Sequence, residues 1–165
     1  GYPTLMHASR TVIAAAAIAA AAVLSQGACT REAGNLGALP PDEAAALLDK
    51  RIWLDREPRS PRDEFHVLAF NRRSSTGVFQ HGTVWKGQYE IFLYEAQKGR
   101  IDMKLPGSHK RVQTGFTVER VRRGDADVKL TLDRAPVGPT VYYGYNFEGH
   151  DADAWLAARF THLRD

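Results

Sequence analysis

The chain has one cysteine, Cys29, in 165 residues, so neither an internal disulfide framework nor a cysteine-rich zinc module is available to it. Charge of one sign is also scarce. The 22 basic and 19 acidic side chains leave a formal +3, and the basic residues are scattered, which excludes a nucleic-acid-binding arm. No apolar run reaches the ~20 residues that a membrane-spanning helix needs. His66, His81, His109, His150 and His162 show no HxH, HExxH or Cys–His spacing. There is no G-x-S-x-G, and the glycines do not form a phosphate-cradling loop. The sequence therefore calls for no cofactor and no metal, and it offers no catalytic residue set.

What is present begins with a block. Residues 11–24 read TVIAAAAIAAAAVL, preceded by His7 and Arg10 and followed by Ser25-Gln26-Gly27-Ala28-Cys29. A short basic start, an apolar core and small residues after it predict an export leader over residues 1–28. A helix of the folded domain would show an apolar stripe, and this run is apolar all round. Gly27-Ala28-Cys29 resembles the lipobox of bacterial lipoproteins, with Gln26 where that family carries an aliphatic residue. The resemblance implies that the Cys29 thiol is acylated and becomes the mature N-terminus. Acyl chains worth about 0.8 kcal/mol per buried methylene would then hold the protein on a membrane. Thr30, in place of the aspartate used for inner-membrane retention, implies the outer membrane, facing the periplasm or exposed at the cell surface. A plain secretory cut after Gly27 or Ala28 is the alternative, giving a soluble periplasmic protein with a free thiol.

Residues 29–39 are small, polar and glycine-bearing, as expected of a flexible tether, and residues 40–165 of a single domain. Pro40-Pro41-Asp42-Glu43 opens a short helix, with acids in its first turn and Lys50-Arg51 in its last. Residues 56–63 carry two prolines and read as a loop. From residue 64 the apolar period becomes two, predicting strands over 64–70, 76–86, 89–95, 100–105, 112–121, 128–132 and 140–147. Ile101, Met103 and Leu105 share one face, with Asp102 and Lys104 on the other. In the strand over 89–95, Tyr89, Ile91 and Leu93 face one way and Phe92 with Tyr94 the other, which predicts burial on both sides. A C-terminal helix capped by Asp151 or Asp153 carries Trp155, Leu156, Phe160 and Leu163 on one side. Seven or eight short strands without βαβ alternation predict a mainly β fold: an antiparallel meander closing as a barrel or curved sheet, with a helix at each end.

The succession of residues 79–85 (FQHGTVW), 89–94 (YEIFLY) and 101–105 (IDMKL) resembles the strand rhythm of bacterial lipocalin-like (calycin) small barrels. The chain is also similar to small lipoproteins of myxobacterial type without assigned activity. The barrel resemblance implies a ligand at the barrel mouth. Trp85, Tyr89, Phe92, Tyr94, Tyr143 and Tyr145 are the aromatic residues that would line it, if they are not simply core. Three functional expectations follow: a membrane-tethered binding module for an apolar small molecule or an envelope protein, an assembly factor with no cavity, and a hydrolase built from residues that meet in space. For the last, His66 and His81 on adjacent strands can meet, as can Glu90 with Glu119 or Asp102 with Asp127. The Arg72-Arg73, Lys110-Arg111 and Arg122-Arg123 pairs read as turns, either solvated or forming a basic rim.

Overall fold

A computed structural model of the chain describes residues 37–147 and 152–164. Its strands are β1 (Arg51–Leu54), β2 (Phe65–Asn71), β3 (Thr76–Gly82), β4 (Gly87–Gln97), β5 (Arg100–Leu105), β6 (Lys110–Arg123), β7 (Ala126–Leu132) and β8 (Val141–Asn146). Each pairs antiparallel with the next, and β8 pairs back onto β1 to close an eight-stranded barrel. The helix α1 (Pro41–Leu47) runs into a 3-10 turn, Leu48–Lys50, before the barrel; α2 (Ala152–Arg159) and a 3-10 turn, Thr161–Leu163, follow it. The expected meander with a helix at each end is what forms. The leader and Cys29 lie outside the described residues, as does Asp151, one of the two expected caps of α2.

Two boundaries differ from expectation. The tether was expected to run to Leu39, yet Leu39 N–H donates to Val118 O at 2.8 Å and Arg120 N–H donates to Gly37 O at 3.2 Å. Ala38 bridges Glu119, so residues 37–39 belong to the barrel wall. The first helix was expected to end at Arg51, whereas the chain leaves helical geometry there and enters β1. That four-residue strand closes the barrel. Its Ile52, Trp53 and Leu54 are all buried, on both faces, so they carry no alternation to read.

The inward faces explain why the barrel is solid. Trp53, Leu68, Phe70, Phe79, Phe92, Met103, Leu130 and Tyr142 form one interior cluster with their neighbours. Phe92 packs on Phe79 at 4.7 Å and edge-on to Phe70 at 5.6 Å between ring centres. Two glycines make room for large rings. A Cβ on Gly77 would lie 2.1 Å from Phe92, and one on Gly144 would lie 2.6 Å from Val128 and 2.8 Å from Trp53. Ala44 and Leu48 join the same cluster and plug one end, where Trp53 Nε1 donates to Leu48 O at 2.9 Å. A second cluster lies outside the wall. Ile52, Leu54, Phe65, Val67 and Tyr145 are covered by Trp155, Leu156, Phe160 and Leu163, the apolar side expected of the C-terminal helix. Arg159 stacks over Tyr145 and Trp155 there and is paired with Glu57 and Asp125.

Candidate functional site

The inward side chains of the described residues form one buried cluster. Trp53, Phe92, Met103, Leu130 and Tyr142 are fully buried against one another, and the available concavities lie on the surface. The six aromatics expected to line a ligand site do not converge. Phe92 and Tyr94 point inward and form core. Tyr145 is buried outside the wall with α2, and Tyr143 is half-buried beside it. Trp85, in the β3–β4 turn, and Tyr89, on the outer face of β4, are 62% and 73% exposed.

That outer face is the first notable feature. Tyr89, Ile91 and Leu93 alternate with Phe92 and Tyr94 as expected, but their side is not covered: Ile91 is 51% and Leu93 44% exposed. The prediction of burial on both faces of β4 is therefore corrected. Neutral Gln80, Val78 and Thr76 lie opposite them on β3, in register with Tyr89, Ile91 and Leu93. Lys104 lies opposite Leu93 on β5, and Asp102 opposite Glu95. With Lys86 just before β4 and exposed, the stripe has an apolar centre and a rim of mixed charge. A row of large apolar side chains left in water is a candidate contact surface.

The second feature is the end of the barrel away from α1. His66 on β2 and His81 on β3 are direct cross-strand partners, and their rings stack at 4.4 Å with 13° between planes. This is the meeting that the sequence allowed. Asp55, which follows β1, accepts from the His66 backbone N–H at 2.7 Å and lies 3.2 Å from His66 Nδ1. With only 6% of its side chain exposed, Asp55 fixes the orientation of the ring. Glu64 lies 3.4 Å from His81 Nε2. Nothing in the sequence marked Asp55, because it is a lone acid after a strand with no readable period. Behind the pair, the Tyr142 hydroxyl is buried without a hydrogen-bond partner. Burial, then the Asp55 charge, raises its pKa well above the ordinary phenol value.

The histidines separate two surface hollows. One, of about 450 Å³, holds Phe79, Gln88, Tyr89, Glu90 and Ser108, with Ser108 Oγ donating to Glu90 at 2.6 Å. The other, of about 810 Å³, is a groove between the 56–64 loop, the β6–β7 tip and the outer face of β8. Arg123 lies over the Tyr143 ring at 3.9 Å in this groove.

The carboxylate pairs considered for hydrolysis do not form. Glu119 pairs with Lys129, Asp102 with Arg111 at 2.9 Å, Asp127 with Arg51 at 2.7 Å, and Glu90 is held by Ser108. Among the described residues no three histidine, cysteine or acidic side chains are grouped to hold a metal ion. Of the basic pairs, Arg72-Arg73 lies in the β2–β3 turn, whereas Lys110-Arg111 opens β6 and Arg122-Arg123 closes it. Searches of family models, curated proteins and solved structures give no match to this chain.

Proposed function

We propose that this chain is a non-catalytic binding module of the bacterial cell envelope. In this reading it is exported by its leader, tethered through acylated Cys29, and engages a protein partner through the outer face of β4. The tether follows from the apolar run at 11–24 and the small residues before Cys29. The single observation that carries the binding surface is the stripe of Tyr89, Ile91 and Leu93 left in water, with Trp85 also exposed in the turn before it, on a barrel whose inward side chains form one buried cluster. A filled barrel has no space for an apolar guest, so recognition moves to the wall.

The chemistry of the rim selects a protein over a lipid surface. Glu95 lies beside Leu93 and Asp102 is paired with Arg111, while Lys86 and Lys104 flank the same stripe, so the rim carries both signs and lacks the basic cluster that an anionic bilayer attracts. An apolar centre ringed by both signs of charge matches the anatomy of a protein–protein contact. The partner expected is a protein presenting an apolar ridge between acidic and basic side chains.

In-cell photo-crosslinking at Ile91, with Arg134 on another part of the barrel as control, tests this. A discrete protein adduct at Ile91 that is absent at Arg134 and disappears with Leu93→Lys is expected. Lipid adducts alone, or an adduct of twice the chain's own mass, would overturn the assignment. Cys29→Ser is expected to release the domain from membranes without altering its thermal unfolding.

A further inference from the structure

The first half of β4 carries unpaired backbone beside its exposed side chains. Residues 87–92 are in register with β3 alone, because the β4–β5 ladder begins at Leu93, opposite Lys104. The direction of the free groups follows from the bonds at the two ends of the hairpin. Tyr94 N–H donates to Ser75 O at 2.9 Å and Thr83 N–H donates to Lys86 O at 2.8 Å. Antiparallel bonding alternates along a strand, so Gln88, Glu90 and Phe92 bond toward β3. The N–H and C=O groups of Tyr89 and Ile91 point the other way. Continuing the β5 register would set Pro106 opposite Ile91, and proline has no N–H to donate. The chain turns there instead and leaves Tyr89 and Ile91 without a neighbouring strand.

Space adjoins this edge. The hollow of about 450 Å³ is lined by Gln88, Tyr89 and Glu90 of β4 and by Gly107 and Ser108 of the turn after β5. The Glu90 carboxylate in it accepts from the neutral Ser108 hydroxyl, and among the described residues it has no ion pair. Residues directly opposite in an antiparallel pair share a face of the sheet. A strand laid along β4 here would place one side chain beside Glu90 on the inner face. Its two neighbours would stand on the outer face, beside Tyr89 and Ile91. The edge thus selects a pattern: an apolar residue, then lysine or arginine, then an apolar residue.

We infer that the protein partner presents an extended segment of this pattern, which adds to the free edge of β4 as a strand. The inference rests on the protein-binding reading of the β4 face and specifies how the partner is held. Main-chain bonds to Tyr89 and Ile91 supply the attachment, and Glu90 selects the central side chain. A second copy of this chain fits less well. Antiparallel copies are related by a twofold axis normal to the sheet, and an axis through Glu90 sets its carboxylate directly opposite the same group of the copy. An axis through Tyr89 spends Ile91 on Gly87, which has no side chain. An axis through Ile91 calls on Leu93, which β5 already holds.

The test uses the intact protein purified in detergent and the capped peptide acetyl-Thr-Val-Lys-Val-Thr-amide, titrated by NMR. Saturable binding that slows hydrogen exchange of the Tyr89 and Ile91 amides is expected. Methylating the backbone nitrogens of both valines should abolish it, because those nitrogens supply the bonds to β4. In Glu90→Lys the lysine peptide should bind about fivefold or more weakly, and the peptide with glutamate in its place should become the better ligand. Glu90 is not in the core, so that variant should melt with the wild type. Absence of binding, equal binding of the methylated peptide, or an unchanged preference in Glu90→Lys would each overturn the inference. So would protection of the Tyr89 and Ile91 amides that rises with protein concentration in the absence of peptide, the mark of a second copy. The two readings separate in cells. A discrete protein adduct at Ile91 that Tyr89→Pro leaves unchanged defeats strand addition and leaves the contact face standing, whereas absence of any protein adduct defeats the face itself.

Discussion

Single side chains in this barrel are defined by how little space surrounds them. Gly77 and Gly144 are there because a methyl group would collide with Phe92, Val128 or Trp53. Tyr94 shows the electrostatic side of the same packing. Burial, followed by the nearby Asp49 charge, pushes its phenol up to about 12. Tyr142 and Tyr145 are raised in the same direction, chiefly by burial. An unfolded tyrosine ionises near pH 10, so between about 10 and 12 the unfolded chain binds fewer protons than the folded one. The contribution of Tyr94 to stability is thus complete below about pH 10 and is lost as pH rises through 12. Urea midpoints measured across that interval should fall, and Tyr94→Phe should show a shallower fall. Equal slopes in the two proteins would show that the Tyr94 phenol is not the cause.

Among the elements, α2 and its 3-10 turn have the clearest structural task. They cover Ile52, Leu54, Phe65 and Val67 on the outside of the wall, with Phe160 edge-on to Phe65 at 5.4 Å. Phe160→Ala should cost about 3 kcal/mol, the low end for a buried phenylalanine, because a surface helix can settle into the gap. A urea midpoint within error of wild type would mean that this covering is not structural. β2 through β8 were legible in the sequence because polar and apolar residues alternate along most of them, as in Arg100–Leu105. β1 was not legible. The barrel interior takes Trp53, and the α2 cover takes Ile52 and Leu54, so the strand has no polar face. The outward side of β4 misled for the opposite reason. Alternation shows which residues share a face, but it does not show whether anything lies over that face. The histidine pair was within reach of strand pairing, whereas the Asp55 contact depends on a loop whose path no periodicity describes.

In the whole molecule, a packed interior leaves the outer surface as the place for any ligand or partner. Phe92, at the centre of the aromatic cluster, gives the direct test. The wild-type barrel should not take up an apolar fluorescent probe inside, whereas Phe92→Ala should lose about 3–5 kcal/mol and gain such binding through the cavity it opens. Probe uptake by the wild type, unaffected at that position, would contradict a filled core. The β4 stripe and the groove beside β8 are two separate outward surfaces of the barrel.

Closure through β1 has a further consequence. With β1 bonded to β2 on one side and β8 on the other, the sheet has no terminal strand, and Ala38 lies along the part of β6 that outruns β5, whereas residues 87–92 of β4 are paired with β3 alone. Among the described strands, the backbone left for another copy to pair with is chiefly that stretch of β4, beside the exposed Tyr89 and Ile91.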